Sequence, residues 1–193
     1  NLLEIKINQL KRIKEIEEIV VNSDSPEMLE VAEKNGVKAV KRDPYFASND
    51  VPMNEVWRHL AETTDAEHII YTNCTNPLVK DESYKKAIQT YFNLSEKYDS
   101  LTTVNSVQEY LWDGDTCINY NPAKHPRSQD LPKLSALNFA ISIIPKALMV
   151  KNKSILGNFF YKFEISNIEA IDIDTIEDFI IAEQAYISLA KNY

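Results

Sequence analysis

The sequence predicts an α/β domain in which a mainly parallel β-sheet is covered by helices on both faces. Strand and helix patterns alternate through the first half of the chain, and parallel sheets require this order. The chain has 193 residues, of which 44% are apolar, so it can bury one continuous core without disulfides. Residues 1–193 are therefore expected to form a single domain.

The elements of the first half follow from hydrophobic periodicity and from residues that begin or end helices. A helical stripe of apolar residues covers 2–16, and Ser25-Pro26 begins a second helix that Asn35-Gly36 ends. Proline suits a first helical turn, and glycine suits the left-handed position after a helix. The same periodicity predicts strands over 18–22, 37–41 and 68–72 and helices over 54–63 and 81–97.

The second half contains a hairpin, four longer strands and a closing helix. Asp113-Gly114 favours a tight turn between two short apolar runs, and this hairpin belongs to an arm over residues 110–132. The other elements predicted here are strands over 101–107, 137–144, 159–165 and 170–173, and a helix from Thr175 to Lys191.

Charge and composition argue against several classes of function. The formal net charge is −8 and the pI is about 5.0, whereas nucleic-acid binding needs clustered Lys and Arg, so no nucleic-acid partner is expected. Cys74 and Cys117 form no CxxC pair, which is typical of a protein in a reducing cytoplasm. No apolar stretch approaches the roughly 20 residues of a membrane-spanning helix, so no membrane partner is expected.

Two carboxylates interrupt the last apolar run, in Ile171-Asp172-Ile173-Asp174. Alternate side chains of a strand share a face, so Asp172 and Asp174 are expected to point the same way. Neighbouring carboxylates repel each other unless a hard cation such as Mg²⁺ neutralises them, and the pattern therefore predicts a metal site. The alternative is a strand end at which Asp174 or Thr175 caps the next helix.

Three other polar segments follow predicted strands and are expected at the same edge of the sheet. They are residues 22–25, Arg42-Asp43 and residues 73–77. Ligands of open α/β sheets bind at the carboxyl ends of the strands, so this convergence favours the metal site over the helix cap. Glycine is scarce, with three in the chain, and no glycine-rich loop that cradles phosphates can be built from them.

Five segments carry a resemblance to a known family. They are residues 20–25, Arg42 with 47–49 and Pro52, residues 73–78, residues 127–132 with Asn138 and Ala140, and residues 171–175. In that order they are similar to VVSTDS, RPxxLAxD, QPTSPL, RxQDLPxxxRxNGA and VDIDT of the acylneuraminate cytidylyltransferases, which make CMP-sialic acid and CMP-activated relatives. The order of the matches holds over nearly the whole chain.

The resemblance implies a three-layer, nucleotidyltransferase-like α/β/α fold. It also implies a cytoplasmic enzyme that transfers CMP from CTP to an acidic, nonulosonate-like sugar and releases pyrophosphate. Mg²⁺ on Asp172 and Asp174 and a homodimer formed through the 110–132 arm are implied as well. The site residues that it assigns are Asp24, Ser25 and Arg42 for the nucleotide, and Asn73, Thr75, Arg127, Gln129 and Asn138 for the acceptor.

Simpler structural roles stay open for several of these residues. Ser25 can merely begin a helix, and Arg42 can pair with Asp43 or Asp50. The 73–75 segment can fasten a loop through its polar side chains, as buried polar groups at strand ends commonly do.

The chain departs from the family pattern in ways that bear on the acceptor and on the nucleotide. Ala136 stands where the family has the Arg that pairs with the sugar carboxylate, Val79 replaces another Arg, and Phe139 replaces a Gly. The chain begins in the helix that follows the family's first strand, so the domain is expected to lack that strand and its nucleotide-binding loop. Alternatives are therefore another acidic or non-sugar acceptor, or a non-catalytic nucleotide-binding or scaffold module.

Overall fold

A computed structural model describes residues 1–190 and contains six α-helices and eight strands in that range. The helices are α1 (Leu2–Leu10), α2 (Pro26–Lys34), α3 (Met53–Glu62), α4 (Asp81–Phe92), α5 (Lys146–Asn152) and α6 (Ile176–Ala190). The strands are β1 (Val20–Ser23), β2 (Lys38–Lys41), β3 (His68–Tyr71), β4 (Ser100–Val107), β5 (Trp112–Asp113), β6 (Thr116–Cys117), β7 (Leu134–Pro145) and β8 (Phe160–Glu164).

The strands form one four-stranded sheet and two pairs. The large sheet has the order β3-β7-β4-β8, in which β3, β4 and β8 run in one direction and β7 runs against them. Strands β1 and β2 form a separate parallel pair, and β5 and β6 form the hairpin of the arm. The predicted α/β class with a mainly parallel sheet is confirmed, and β7 is its antiparallel member.

The hydrophobic core lies on both faces of the large sheet. On one face, Leu10 of α1 and Tyr84 of α4 pack against Ile143 of β7. On the other face, Ala61 of α3 and the helix α5 pack against Ile144, the next residue of β7. Successive side chains of a strand point to opposite faces, so β7 contributes to both clusters. This arrangement confirms the predicted three layers, with helices above and below one sheet.

The second helix begins and ends where the sequence predicted. Ser25 caps α2, because its side chain accepts a hydrogen bond from the Met28 amide at 3.4 Å, and Pro26 occupies the first turn. Gly36 follows the helix with a φ of +63°, the left-handed conformation that glycine adopts without strain. Local chemistry therefore determines this helix.

Two predicted helices are too long. Helix α1 ends at Leu10 rather than at residue 16, because the amides of Arg12 and Ile13 turn back to the carbonyls of residues 9 and 10. Ile13 is 1% exposed and belongs to the core. The apolar residue at this position therefore marks a buried turn and not a continuation of the helix. Helix α4 ends at Phe92 rather than at residue 97, and the Asn93 side chain donates to the Gln89 carbonyl at 2.7 Å.

Two further differences concern helix α5 and the end of the chain. The sequence predicted no helix over 146–152, where α5 lies against α3. Helix α6 begins at Ile176, one residue after the predicted start, and Lys191 of the predicted helix lies outside the described residues.

The predicted strand over 170–173 is wrong. Residues 167–170 form a turn and residues 171–173 form no ladder with another strand. Their polar backbone groups bond to the loop after β3 instead. The Ile173 amide donates to the Thr75 carbonyl at 2.9 Å, and the Asn76 side chain donates to the Ile171 carbonyl at 3.1 Å. The apolar run is therefore half-buried, and the prediction that it pairs as a strand is wrong.

None of the helices within residues 1–190 is both long and apolar enough to cross a membrane.

Gly157 lies directly against Asp99 and Ser100, and a substitution there tests this packing. The amides of Asn158 and Phe159 donate to the Asp99 carboxylate at 2.8 and 3.1 Å. A Cβ on Gly157 would lie 2.7 Å from Asp99 Cγ and closer still to two side-chain oxygens. We expect Gly157→Ala to lower the free energy of unfolding by about 3 kcal/mol, measured by urea denaturation, because the loop must move to admit the methyl group.

Gly36→Ala is the matched control for this substitution. Apart from Gly36 itself and its two chain neighbours, no heavy atom of residues 1–190 lies within 4 Å of a Cβ placed there, and only the φ of +63° opposes the change. The expected loss at Gly36 is about 1 to 2 kcal/mol. An equal or smaller loss for Gly157→Ala would contradict the close packing against Asp99.

Candidate active site

A slot separates the β1-β2 pair from the large sheet. It is a cavity of about 1020 Å³ that is lined along one side by β1 and along the other by β3. Leu3 and Ile7 of α1 cover one face of the slot, and Leu60 and Met149 cover the opposite face. Apolar side chains thus line both faces of the slot, with strand backbone at both sides, and Lys6 of α1 is also among the lining residues.

The backbone groups that face the slot follow from the pairing of its two strands. The carbonyls of residues 19 and 23 accept hydrogen bonds from the first residue of β2 and from the residue just after it, and residue 67 accepts one from the Lys146 amide next to β7. Ladder bonds alternate along a strand, so the amides of Asn22 in β1 and Ile70 in β3 point into the slot. Within residues 1–190 no strand pairs with these two edges.

Arg42 lies at the polar end of the slot and is held by Asn22. Its Nε donates to Asn22 Oδ1 and its Nη2 donates to the Asn22 carbonyl, both at 2.7 Å. Among the described residues it makes no ion pair with Asp43 or Asp50, so that alternative is wrong. The guanidinium is half-buried and fixed in direction, which suits recognition of a planar polar ligand.

The two other residues assigned to the nucleotide, Asp24 and Ser25, differ in how accessible their side chains are. Asp24 is exposed and lines the slot. The Ser25 hydroxyl donates to Glu27 at 2.6 Å and accepts from the Met28 amide, so the helix-start alternative describes it well. Asp24 is therefore the more accessible of the pair.

The loop after β3 carries two of the predicted residues, Asn73 and Thr75, and a third, Asn138, lies on the neighbouring strand β7. Asn73 lines the slot, and its side chain forms no hydrogen bond within the described residues. Thr75 uses its carbonyl to hold the Ile173 amide, which makes this residue partly a loop fastener. Asn138 lies on β7 beside the same loop, because its Oδ1 accepts from the Ala140 amide at 3.2 Å and the Ala140 carbonyl accepts from Thr72 at 2.7 Å.

Arg127 and Gln129 lie farther out, at the base of the arm, and neither lines the slot. Arg127 Nε donates to the Asp130 carboxylate at 2.8 Å, and the Gln129 carbonyl accepts from Gln108 at 2.9 Å. None of Arg127, Gln129 and Asn138 lines the slot as Asn73 does, but Asn138 lies next to the part of β7 that the loop after β3 contacts.

The two carboxylates of the predicted metal site sit in different surroundings. Asp172 Oδ1 is buried and has no hydrogen-bond partner within residues 1–190, whereas Asp174 is exposed. The next helix is capped by Thr175 and Asp178, whose side chains exchange hydrogen bonds with each other's amides at 3.2 and 2.9 Å. The cap alternative is thus right for Thr175, and it leaves the Asp174 carboxylate free to bind elsewhere.

A buried carboxylate oxygen without a partner fits a metal ligand, because burial of an unpaired charge is costly. No group of three or more His, Cys, Asp or Glu residues in the described part of the chain could hold a metal ion. Mg²⁺ in nucleotide enzymes commonly uses one or two carboxylates and completes its shell with waters and phosphate oxygens. The donor set of Asp172 and Asp174 therefore suits Mg²⁺ bound together with a phosphate.

Tyr71 belongs to this site but was not predicted from the sequence. Burial raises the pKa of its hydroxyl, and the charges of Arg42, Cys74 and Asp172 also act on it. Tyr71 is therefore within electrostatic range of both the polar end of the slot and the Asp172 segment. The available signal was an aromatic residue with a polar tip at the end of an apolar strand.

Comparison with known proteins identifies the family. Residues 1–145 match the family model described as cytidylyltransferase. The chain belongs to the cytidylyltransferase family. Two curated relatives named N-acylneuraminate cytidylyltransferase, from Streptococcus agalactiae serotypes V and III, are 27% and 26% identical over 174 residues, which is 84% of this chain. The chain spans 41% of the length of these relatives. The resemblance seen in the sequence is confirmed.

Solved structures with the same fold include two further cytidylyltransferases. A CMP:2-keto-3-deoxy-manno-octonic acid synthetase complexed with CTP has a TM-score of 0.69 at 12% identity, covering 100% of this chain and 88% of its own. A 4-diphosphocytidyl-2C-methyl-D-erythritol synthase from Anaerococcus prevotii has a TM-score of 0.68 at 17% identity, covering 97% and 86%. At these identities the likeness shows the nucleotidyltransferase-like fold alone.

Glu169 anchors the segment that leads to Asp172. It is 5% exposed, and its carboxylate accepts hydrogen bonds from the Lys80 amide at 3.1 Å, from the Ser83 hydroxyl, and from the Ser166 hydroxyl at 2.8 Å. Lys80 is the N-cap of α4 and provides no side-chain cap of its own. Glu169 therefore caps α4 from a distance and ties the 166–170 turn to it.

This anchor should make stability depend on pH. Burial raises the pKa of Glu169, but hydrogen bonds from Ser83 and Ser166 outweigh it and leave the pKa below the ordinary 4.5. A lowered pKa contributes stability above pH 4.5 that is lost as the folded carboxylate protonates. We expect Glu169→Gln to lower the free energy of unfolding at pH 7 by about 1 to 3 kcal/mol, and we expect this difference to shrink below pH 4.5.

Urea unfolding at several pH values measures this difference. Glu164→Gln is the control, because Glu164 is exposed at the end of β8 and should change stability little at any pH. A difference between wild type and Glu169→Gln that stays constant from neutral to acid pH would contradict the anchoring role.

Proposed function

We propose that this chain carries the catalytic domain of an enzyme that transfers CMP from CTP to an acidic sugar or a related acid and releases pyrophosphate. The observation that carries the proposal is the cytidylyltransferase family model over residues 1–145. The curated relatives named N-acylneuraminate cytidylyltransferase support the nucleotide and the acidic class of acceptor. A structural neighbour that was solved with CTP is consistent with the same nucleotide.

In the proposed reaction an acceptor hydroxyl oxygen attacks the α-phosphorus of CTP. The new P–O bond forms as the bond to the leaving pyrophosphate breaks, and the hydroxyl proton passes to solvent. The protein has little covalent work in such a transfer, because positioning and neutralisation of phosphate charge supply most of the rate. The residues of this chain would therefore act by binding and orientation.

Asp172 and Asp174 are the residues that would hold Mg²⁺. When bound, the ion would neutralise phosphate charge and polarise a phosphoryl oxygen. The partnerless Asp172 Oδ1 supports this role, and so does the capping of α6 by Thr175 and Asp178 instead of by Asp174. The loop after β3 would fix the position of Asp172 through the bonds at Ile171 and Ile173.

Arg42 and Asp24 would bind the nucleotide from the polar end of the slot. The two hydrogen bonds to Asn22 hold the Arg42 guanidinium in one direction, as recognition of the planar cytosine requires. Ser25 would contribute mainly by capping α2, which keeps the β1–α2 junction next to Arg42 in place.

The acceptor side is where this chain departs most from its relatives. Asn73 and Asn138 would contact the acceptor, with Thr75 fixing the loop between β3 and α4. Arg127 and Gln129 would reach the acceptor only if the base of the arm moves inward, since the Arg127 guanidinium is engaged by Asp130. With Ala136 in place of an arginine, the acidic group of the acceptor would be held by something other than a bidentate guanidinium pair.

We propose that the slot between β1 and β3 takes one further strand, which precedes residue 1 in the polypeptide and carries the nucleotide-binding loop. The free edges of β1 and β3 face the same cavity. Unpaired backbone groups at strand edges are unfavourable where apolar residues shield them from water. Apolar residues line both faces of the slot, as they do around buried strands of parallel sheets.

Hydrogen exchange tests this strand. In the protein with its preceding residues present, the amides of Asn22 and Ile70 should exchange at least about a hundredfold more slowly than in residues 1–193 alone, because a strand in the slot would bond to them. The amides of residues 101 and 143, which pair with each other in the large sheet, provide the internal reference. Equal exchange at Asn22 and Ile70 in both polypeptides would refute the proposal.

Substitution of the carboxylates tests the reaction. In the full-length protein, Asp172→Asn and Asp174→Asn should each reduce CTP-dependent pyrophosphate release at least about a hundredfold, because the phosphate charge would lose its counter-ion. Glu177→Gln is the matched control, since Glu177 is an exposed carboxylate in the first turn of α6. Unchanged release in either aspartate variant would show that the metal role is wrong.

A non-catalytic nucleotide-binding or scaffold module is the second candidate, and the loss of arginines at Val79 and Ala136 favours it. Calorimetry with CTP and Mg²⁺ separates the two, because a dead module should show no binding that depends on the metal.

The homodimer stays a prediction. The arm exposes Trp112 at 49% and Ile118 at 57%, which is consistent with an interface there.

A further inference from the structure

Lys6 is a buried cation that the proposed reaction does not use. It lies on α1, is 3% exposed, and forms no ion pair with any described carboxylate. Burial lowers the pKa of its ammonium to about 8, although Cys74 and Asp81 act in the opposite direction. A buried charge without a counter-ion is costly, so the groups that surround Lys6 must compensate for it by hydrogen bonding.

Three oxygens surround the Lys6 ammonium. It donates to the Asn76 carbonyl at 2.9 Å, to the Tyr84 hydroxyl at 2.9 Å and to Gln9 Oε1 at 3.1 Å. The three donors of the ammonium are thus all used. Gln9 extends the contact, because its amide nitrogen donates to the Val79 carbonyl. Two side chains of helix α1 therefore donate hydrogen bonds to the loop after β3, at the carbonyls of Asn76 and Val79.

One branch of this network leads to the segment that bears Asp172. Asn76 is 0% exposed, and its side chain donates to the Ile171 carbonyl at 3.1 Å. The carbonyl of Thr75, one residue earlier, accepts from the Ile173 amide at 2.9 Å. The residues before and after Asp172 are therefore both bonded to the loop that Lys6 holds.

A second branch leads to the β7 residues beside Asn138. The Thr72 hydroxyl donates to the Ala140 carbonyl at 2.7 Å, so its single proton is used there. The Tyr84 hydroxyl must then donate to Thr72 Oγ1, at 2.6 Å, and accept from Lys6. These donors run in one direction, from the ammonium of Lys6 through Tyr84 and Thr72 to β7, and the positive charge at their start favours that direction.

We propose that Lys6 is a positioning residue of the candidate active site, which fixes the loop after β3 and, through that loop, the backbone on both sides of Asp172. The effect on catalysis rests on the proposed function, whereas the effect on the loop does not. Lys6 itself touches neither carboxylate of the proposed metal site.

Hydrogen exchange on the full-length protein measures the effect on the loop. Lys6→Met keeps a long side chain but removes the charge and its three donors. We expect amides in residues 72–80 and 170–175 to exchange at least about tenfold faster in this variant, because hydrogen bonds from a charged group are lost. Amides of β4 and β8 should keep their protection.

Lys14→Met is the matched control, because Lys14 is exposed shortly after α1 and should leave both segments unchanged. If Lys6→Met does not fold, Lys6→Gln replaces it, since an amide keeps a polar donor in the same place. Unchanged exchange in 72–80 and 170–175 would overturn the proposal. A uniform loss of protection that includes β4 and β8 would also overturn it, because Lys6 would then support only the fold as a whole.

Kinetics distinguish this proposal from the proposed function. If both hold, Lys6→Met raises the Mg²⁺ concentration for half-maximal pyrophosphate release several-fold and Lys14→Met does not. If Asp172→Asn leaves pyrophosphate release unchanged, the metal role fails, and faster exchange in 170–175 still supports Lys6 as the residue that positions this segment. A normal Mg²⁺ requirement in Lys6→Met, in an enzyme that depends on Asp172, would overturn the catalytic part of the proposal.

Discussion

The loop between β3 and α4, residues 72–80, is the constraint on which the candidate site depends. Its hydrogen bonds reach four parts of the molecule: α1 through the carbonyls of residues 76 and 79, β7 through Thr72, the Asp172 segment through Asn76 and Thr75, and Glu169 through the Lys80 amide. Most of this loop lies outside regular secondary structure, so several of its backbone groups are satisfied by side chains and backbone groups from distant positions. The site is therefore positioned by these cross-links, whereas the sheet supplies only the frame.

The charges of the site are arranged in an unusual way. The buried, positively charged Lys6 donates its hydrogen bonds to neutral oxygens, and Asp172 has a buried oxygen with no hydrogen-bond partner within residues 1–190. The first charge is compensated by hydrogen bonds inside the protein, which makes it a structural element. The second is compensated by nothing within residues 1–190, and a bound cation would do so. This contrast distinguishes Lys6, which is proposed to position the site, from Asp172, which is proposed to bind the metal ion.

Sequence reasoning succeeded where the decisive interactions are local. Ser25-Pro26 and Asn35-Gly36 bound α2 because a cap and a left-handed turn are short-range features. It failed at the 170–173 segment, where a half-buried apolar run has the pattern of a strand but its backbone groups bond to the loop after β3. It also missed Lys6, because a lysine on an apolar helical stripe gives no indication of the carbonyls that will meet it.

The sequence by itself determined the α/β class and the polar segments that follow the strands of the first half, and the carboxylate pair as a metal site stays its prediction. Periodicity and helix caps carry that information, since they depend on neighbours within a few residues. Only the tertiary structure decided that Asn22 holds Arg42, that Arg127 and Gln129 lie away from the slot, and that Lys6 holds the loop beside Asp172. Those contacts join residues far apart in the chain, and the packing of helices against the sheet brings them together.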